Sequence, residues 1–236
     1  MSDRRPAVLL IAVLALFPPS LGSAEPSAYL AWRAAYGEPG ASDTLTGRCD
    51  NRSADTLFLS FDPGEDVATF YGVTAMVSFH ALPGDTLSQR WWWGGGPGNE
   101  FNVRVQAGPD SSFATLQPWS TTAMGGVRFE RIGIHGNLKM VYVVPATNSS
   151  RLEKGKRYCF ARLVIPHPPP NVPSCHRPIC FELKSARLTK EIQGSDELEV
   201  ALGPARFATM NSPEGNACAP YRGATRPPAW TPETRK

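Results

Sequence analysis

The chain has no apolar run long enough to cross a bilayer, because its longest, Ala7 to Phe17, covers about eleven residues where a spanning helix needs about twenty. Like-charge blocks are missing too. The 24 Lys and Arg and 21 Asp and Glu are interspersed and leave a net charge of only +3, so neither nucleic acid nor an anionic membrane meets a basic surface. Segments free of both glycine and proline are few, since 21 Gly and 23 Pro punctuate the chain, and this excludes long helices in favour of short strands and turns. Recognisable catalytic motifs are also lacking. There is no G-x-S-x-G elbow and no H-E-x-x-H pair, and the loop Gly94 to Gly98 has no lysine after it, so it is not a phosphate loop. No catalytic residue, cofactor or metal is therefore expected, and the chain does not read as an enzyme.

What is present first is an export signature. Arg4 and Arg5 precede the apolar run, Pro18-Pro19 breaks it, and Gly22, Ser23 and Ala24 supply small residues, the layout of a secretory signal peptide cleaved after Ala24. Removing residues 1 to 24 leaves 212, with 22 basic against 20 acidic groups and no later membrane span. The mature chain is thus expected in the periplasm or outside the cell. All five cysteines fall in that part, where an oxidising compartment lets disulfides persist, and the odd number leaves one unpaired or joined to another chain.

Along the mature chain, Pro26 to Tyr36 is the one helical candidate, with Tyr29, Leu30, Trp32 and Ala35 on one face and Gly37 and Pro39 beyond it. Afterwards the period is two. Tyr71, Val73, Ala75, Val77, Phe79 and Ala81 alternate with Gly72, Thr74, Met76, Ser78 and His80. Leu138, Met140, Tyr142 and Val144 repeat this, as do Cys159, Ala161, Leu163 and Ile165, and then Ile179, Phe181 and Leu183 against Cys180, Glu182 and Lys184. Weaker strands are expected at 56–61, 87–93, 101–106, 126–132, 197–202 and 206–210, with turn signals such as Asp62-Pro-Gly and His135-Gly-Asn137 between strands. About nine or ten short strands without intervening helices imply an all-β, antiparallel two-sheet β-sandwich, jelly-roll or Ig-like in layout, over residues 45–211. Residues 25–44 form an N-terminal segment, and the proline-rich residues 212–236 read as a mostly disordered tail.

Three parts of the pattern carry a resemblance: Leu57-Phe-Leu-Ser-Phe-Asp-Pro-Gly64, Gly72-Val-Thr-Ala-Met-Val-Ser-Phe79, and Leu138-Lys-Met-Val-Tyr142 with Arg157-Tyr-Cys-Phe-Ala-Arg-Leu163. In these the chain resembles the cohesin-like and carbohydrate-binding-module-like β-sandwiches of bacterial extracellular proteins. The resemblance implies a sandwich with a binding role. The cysteines and the tryptophan run depart from a cohesin, so it does not imply dockerin binding and carries no site residue with it.

Several groups qualify as sites. Trp91-Trp92-Trp93, before the glycine-rich loop, places at least one ring away from a strand's buried face, and an exposed indole stacks on sugars or fills a partner's pocket; the alternative is that all three are covered. Cys175-His-Arg-Pro-Ile-Cys180, with His167 and His176, offers zinc ligands, but its spacing and compartment favour a local Cys175–Cys180 disulfide. Cys49 and Cys218 then bracket the strands and would tie the two ends, leaving Cys159 as a buried thiol. Asp62, Glu65 and Asp66 form an acidic turn matching no calcium loop. His80, near Ser78 on a polar strand face, and His135 in a turn are candidates for a site assembled in space. The expectation is an exported module recognising an extracellular glycan or protein, or serving a structural role. The competing one is a secreted hydrolase with its site on the sandwich loops.

Overall fold

The computed structural model describes residues 25–50, 52–81, 103–108, 116–132, 135–167, 170, 175–190, 197–203, 205–212 and 216–222. The expected signal peptide, the tryptophan run, the strand at 87–93 and most of the proline-rich tail lie outside them. Thirteen strands are described: β1 (Ser27–Trp32), β2 (Thr44–Leu45), β3 (Ala54–Asp62), β4 (Val67–Phe70), β5 (Gly72–Ala81), β6 (Arg104–Gln106), β7 (Met124–Ile132), β8 (His135–Val143), β9 (Ser150–Leu152), β10 (Tyr158–Pro166), β11 (Ile179–Thr189), β12 (Glu197–Leu202) and β13 (Phe207–Met210). Helical structure among the described residues is limited to single turns at Ala146–Asn148, Asn216–Cys218 and Ala219–Arg222.

The protein is therefore nearly all-β, but the expected antiparallel two-sheet sandwich is not what forms. Eleven strands make one mixed sheet in the order β6-β10-β3-β1-β12-β11-β5-β8-β7, with β13 and β2 attached through β11, and β4 pairs with β9 in a separate two-stranded sheet. The reason lies in β1. On one side it runs antiparallel to β3, from Ser27 opposite Asp62 to Trp32 opposite Leu57, and on the other it runs parallel to β12 through Ser27–Ala201 and Ala28–Leu202. A strand used on both edges joins what would otherwise be two layers, and the large sheet curls in a barrel-like manner about a single core.

This overturns the helical expectation for Pro26 to Tyr36. Eleven residues fit either period, and pairing of Ser27–Trp32 along its full length with β3 decides in favour of the strand, which sends Ala28, Leu30 and Trp32 into the core. Elsewhere the two-residue alternation holds. Val73, Ala75, Val77 and Phe79 are fully buried, as are Leu138 and Met140 of β8 and Phe181 and Leu183 of β11. Their rings interlock. Phe181 meets Trp32 and Phe79 edge to face at centroid distances of 5.1 and 5.2 Å, while Phe61 lies 5.8 Å from Phe160 and 6.2 Å from Phe70. The buried indoles place their N–H groups too: Trp32 donates to the Thr209 carbonyl at 2.9 Å and Trp119 to that of Phe160 at 2.7 Å.

One irregularity matters below. In β10 the register against β3 shifts between Cys159 and Ala161, so a bulge reverses the alternation. Cys159 consequently leaves the face of Leu163 and Ile165 and is buried in a separate cluster with Ala35 and Phe58.

Candidate functional site

The outer face of β5 and β11 carries the first polar cluster. Ser78 and His80 project there from β5, and because Glu182 stands opposite Ser78 in the β11 register, its carboxylate comes within 3.1 Å of His80 Nε2. Lys184 Nζ lies 2.6 Å from the same Oε2, and Arg206 Nη2 approaches Oε1 at 4.0 Å. Only 2% of Glu182 and 6% of His80 is exposed, so this is an ionic group under cover. Burial pushes the Glu182 carboxyl up, but hydrogen bonds from His80 and Lys184, and their charge, outweigh it and hold the group below its ordinary value. Beside it, Ser78 donates to Asn137 Oδ1 at 2.6 Å. His80 is thus brought into a cluster, with Glu182 as the partner that strand register supplies; His135 faces it in the backbone pairing of β5 with β8.

A second cluster forms where β3 begins and β10 ends. These strands are antiparallel neighbours, with Pro166 opposite Ala54, so the residues just outside them meet. His167 has Asp50 Oδ1 at 3.0 Å and Ser53 Oγ at 2.8 Å from Nδ1, and Asp55 Oδ2 at 2.9 Å from Nε2. Serine, histidine and aspartate in contact suggest a nucleophile relay. The geometry argues against it: Asp50 shares the Nδ1 side with Ser53, and Ser53 Oγ lies 3.2 Å from Asp50 Oδ2, so the hydroxyl proton has a carboxylate acceptor beside the ring. The cluster is better suited to tie the two strand ends together. A backbone hydrogen bond from Arg52, followed by those from His167 and Ser53, keeps Asp50 down at about 2 against the opposing effect of burial. A carboxyl lowered in the folded state contributes stability above its unfolded value, near 4, and loses it as pH falls through about 2. The Tm deficit of Asp50→Asn relative to the wild type, present at pH 6, should shrink toward zero near pH 2; a deficit independent of pH would refute this role.

The cysteines pair differently from the expectation. Cys49 bonds Cys175 and Cys180 bonds Cys218, with Cα separations of 6.0 and 4.9 Å, in place of Cys175–Cys180 and Cys49–Cys218. Cys180 is the second residue of β11, and its side chain enters the outer-face cluster with Phe207, Ala217 and Cys218, while Cys175 lies in the preceding turn beside Arg48. Cys159 is free and buried, and burial pushes its thiol up to about 12. The parity reading that set Cys159 inward and Cys180 outward missed both the β10 bulge and the covering of the outer face.

The zinc reading of the Cys175–Cys180 segment is divided by this arrangement, because Cys180 joins Cys218 and His167 joins two aspartates. Only Cys175 and His176 stay together, with Cys49 as a third donor; the ligand atoms of these three lie within 4.8 Å of one another. In the acidic turn the carboxylates disperse: Asp62 accepts from Gly64 N, Asp66 from Lys154 N, and Glu65 faces Lys190 Nζ at 3.3 Å.

An aromatic group that no sequence signal marked stands on the surface at β1. Tyr29 and Tyr36 stack with centroids 4.6 Å apart and planes within 6°, and the Arg157 guanidinium lies 4.7 Å from one ring centroid and 5.1 Å from the other. Arg157 Nη1 donates to the Tyr36 carbonyl at 2.6 Å, whereas its Nε has no partner among the described residues. Tyr36 is the exposed ring. Trp91, Trp92 and Trp93, the aromatics expected to bind, lie outside the described residues.

Fold and clusters together define a disulfide-braced, nearly all-β domain in which the buried Glu182 carboxylate is matched by His80 and Lys184. Comparison with family models, with curated proteins and with solved structures gives no match in any of the three.

Proposed function

We propose that this protein is an exported recognition module that binds a glycan at the cell exterior. The observation that carries the reading is the Tyr36–Tyr29 stack with Arg157 against it. An exposed aromatic ring receives the apolar C–H face of a sugar, and the positive charge of the half-buried guanidinium beside it favours a hydroxyl- or carboxylate-bearing edge of that sugar. Two disulfides fit an oxidising compartment, and the Arg4-Arg5 leader ending at Ala24 supplies a route to it. A two-layer sandwich of the cohesin-like or carbohydrate-binding kind remains an analogy of strand pattern, and the binding reading does not depend on it.

The hydrolase reading has one observation on its side, the 2.8 Å contact of Ser53 Oγ with His167 Nδ1. The Asp50 carboxylate beside that serine weighs against it.

Polysaccharide pull-down and a glycan array with the mature chain test the proposal. Tyr36→Ala should weaken retention about tenfold, the loss of roughly 1.4 kcal/mol of stacking. Trp92→Ala tests the tryptophan run in parallel. Absence of glycan binding, or retention untouched by Tyr36→Ala, would reject the Tyr36 platform, and a loss confined to Trp92→Ala would move the site to the tryptophans.

A further inference from the structure

The two disulfides differ in their surroundings. Cys180 and Cys218 are fully buried among Phe207 and Ala217. Cys49 is half-exposed, and an exposed imidazole stands against it, with His176 Nε2 3.3 Å and Nδ1 3.5 Å from Cys49 Sγ. An imidazole next to a sulfur favours the thiolate form of that sulfur, and the thiolate is both the leaving group in disulfide exchange and the metal-binding form.

The loops that carry these sulfurs are held by contacts other than the bond between them. Asn211, held at φ 59°, accepts from Gly47 N at 2.8 Å through Oδ1 and donates to the Cys175 carbonyl at 2.8 Å through Nδ2, so one side chain clamps both cysteine-bearing loops. On the Cys49 side, β2 pairs with β13 through Leu45–Met210, and Asp50 is fastened to His167. With the bond closed, the two sulfurs and an imidazole nitrogen lie within 4.8 Å of one another, and loops held in this way would keep the three donors close when it opens. Three such donors with a water as the fourth ligand suit a tetrahedral zinc site.

We propose that Cys49, Cys175 and His176 form a redox-gated metal site, closed as the disulfide and able to hold one zinc ion when reduced. The reductant is a dithiol, small or protein-borne. Its two thiols become a disulfide while the Cys49–Cys175 bond takes up two electrons and two protons. Zinc then displaces both thiol protons and binds the two thiolates and the neutral imidazole. The inference is independent of the glycan reading, since neither the sulfurs nor His176 belongs to the tyrosine stack.

The test uses the full mature chain, exposed to a mild dithiol and then desalted without oxygen, with peptide mapping to show that Cys180–Cys218 remains closed. Cobalt(II) is the first probe, because thiolate ligation gives sulfur-to-cobalt charge-transfer absorption, and zinc should then displace it. Expected are one metal per chain, two protons released per metal, no binding by the oxidised chain or by Cys49→Ser/Cys175→Ser, and at least tenfold weaker binding by His176→Gln. Circular dichroism follows folding in parallel. His176→Gln keeps both cysteines and so reports even where the double serine variant does not fold. Unfolding of the wild-type chain on reduction, metal uptake without thiolate absorption, or affinity unchanged in His176→Gln would each overturn the proposal.

Discussion

Glu182→Ala is expected to cost about 3–5 kcal/mol of folding stability, the range for removing one member of a buried charge group. The carboxylate is 2% exposed and has His80 at 3.1 Å and Lys184 at 2.6 Å, so its removal strands two cationic or donor groups at the same place. Glu182→Gln should cost less, because the amide oxygen still accepts from one neighbour while the charge is lost. The pH behaviour gives a separate signature. The folded-state pKa is lowered, so the wild type gains stability from this group above the unfolded value, near 4.3, and loses it as pH falls through the lower folded value. Denaturant unfolding of wild type and Glu182→Ala at pH 7 and at pH 3 should show the gap narrowing in acid. A cost under about 1 kcal/mol at pH 7 would mean that solvent reaches the cluster and screens it.

Breaking Cys180–Cys218 is the second large effect. The bridge spans 38 positions, and the chain-entropy relation assigns about 4 kcal/mol to a loop of that size, within the roughly 2–5 kcal/mol typical of native disulfides. A Cys180→Ala/Cys218→Ala variant also leaves space beside Phe207 and Ala217, so its loss should lie toward the upper end of that range. Both sulfurs are fully buried, and native-state reduction of this bond should be much slower than that of Cys49–Cys175. Timed reduction with mapping of labelled cysteines checks the order, and equal rates would show that the C-terminal segment opens readily from the sheet.

Both effects depend on a surface that strand parity alone assigns to solvent. Cys180 and Glu182 alternate with Ile179, Phe181 and Leu183, which places them on the outer side of β11; the structure covers that side as well. Sequence alternation tells which residues share a face but not whether a second layer covers it. Cys218, far along the chain, is part of what covers it here.

Cys159 is the buried free thiol expected, but not on the face that parity gave it. Parity over Cys159, Ala161, Leu163 and Ile165 is sound for an unbroken strand, and the bulge between Cys159 and Ala161 breaks it without any proline or glycine to announce the change. The clusters at His80 and His167 were legible as separate polar residues. Their partners were not, because Glu182 meets His80 through the β5–β11 register and Asp50 and Asp55 meet His167 through the β3–β10 register. Register follows from the pairing of whole strands, so the meeting of residues 102 to 117 positions apart has no local trace.

The amino-acid order alone determined that this chain is built of short strands and that Val73, Val77, Leu138 and Leu163 face inward, because these follow from two-residue periodicity and composition. The tertiary structure alone decided that β1 is a strand joining two layers into one curled sheet, which cysteines bond, and which charges neutralise one another. These are consequences of long-range pairing, in which a segment takes the conformation its distant neighbours can bond and cover.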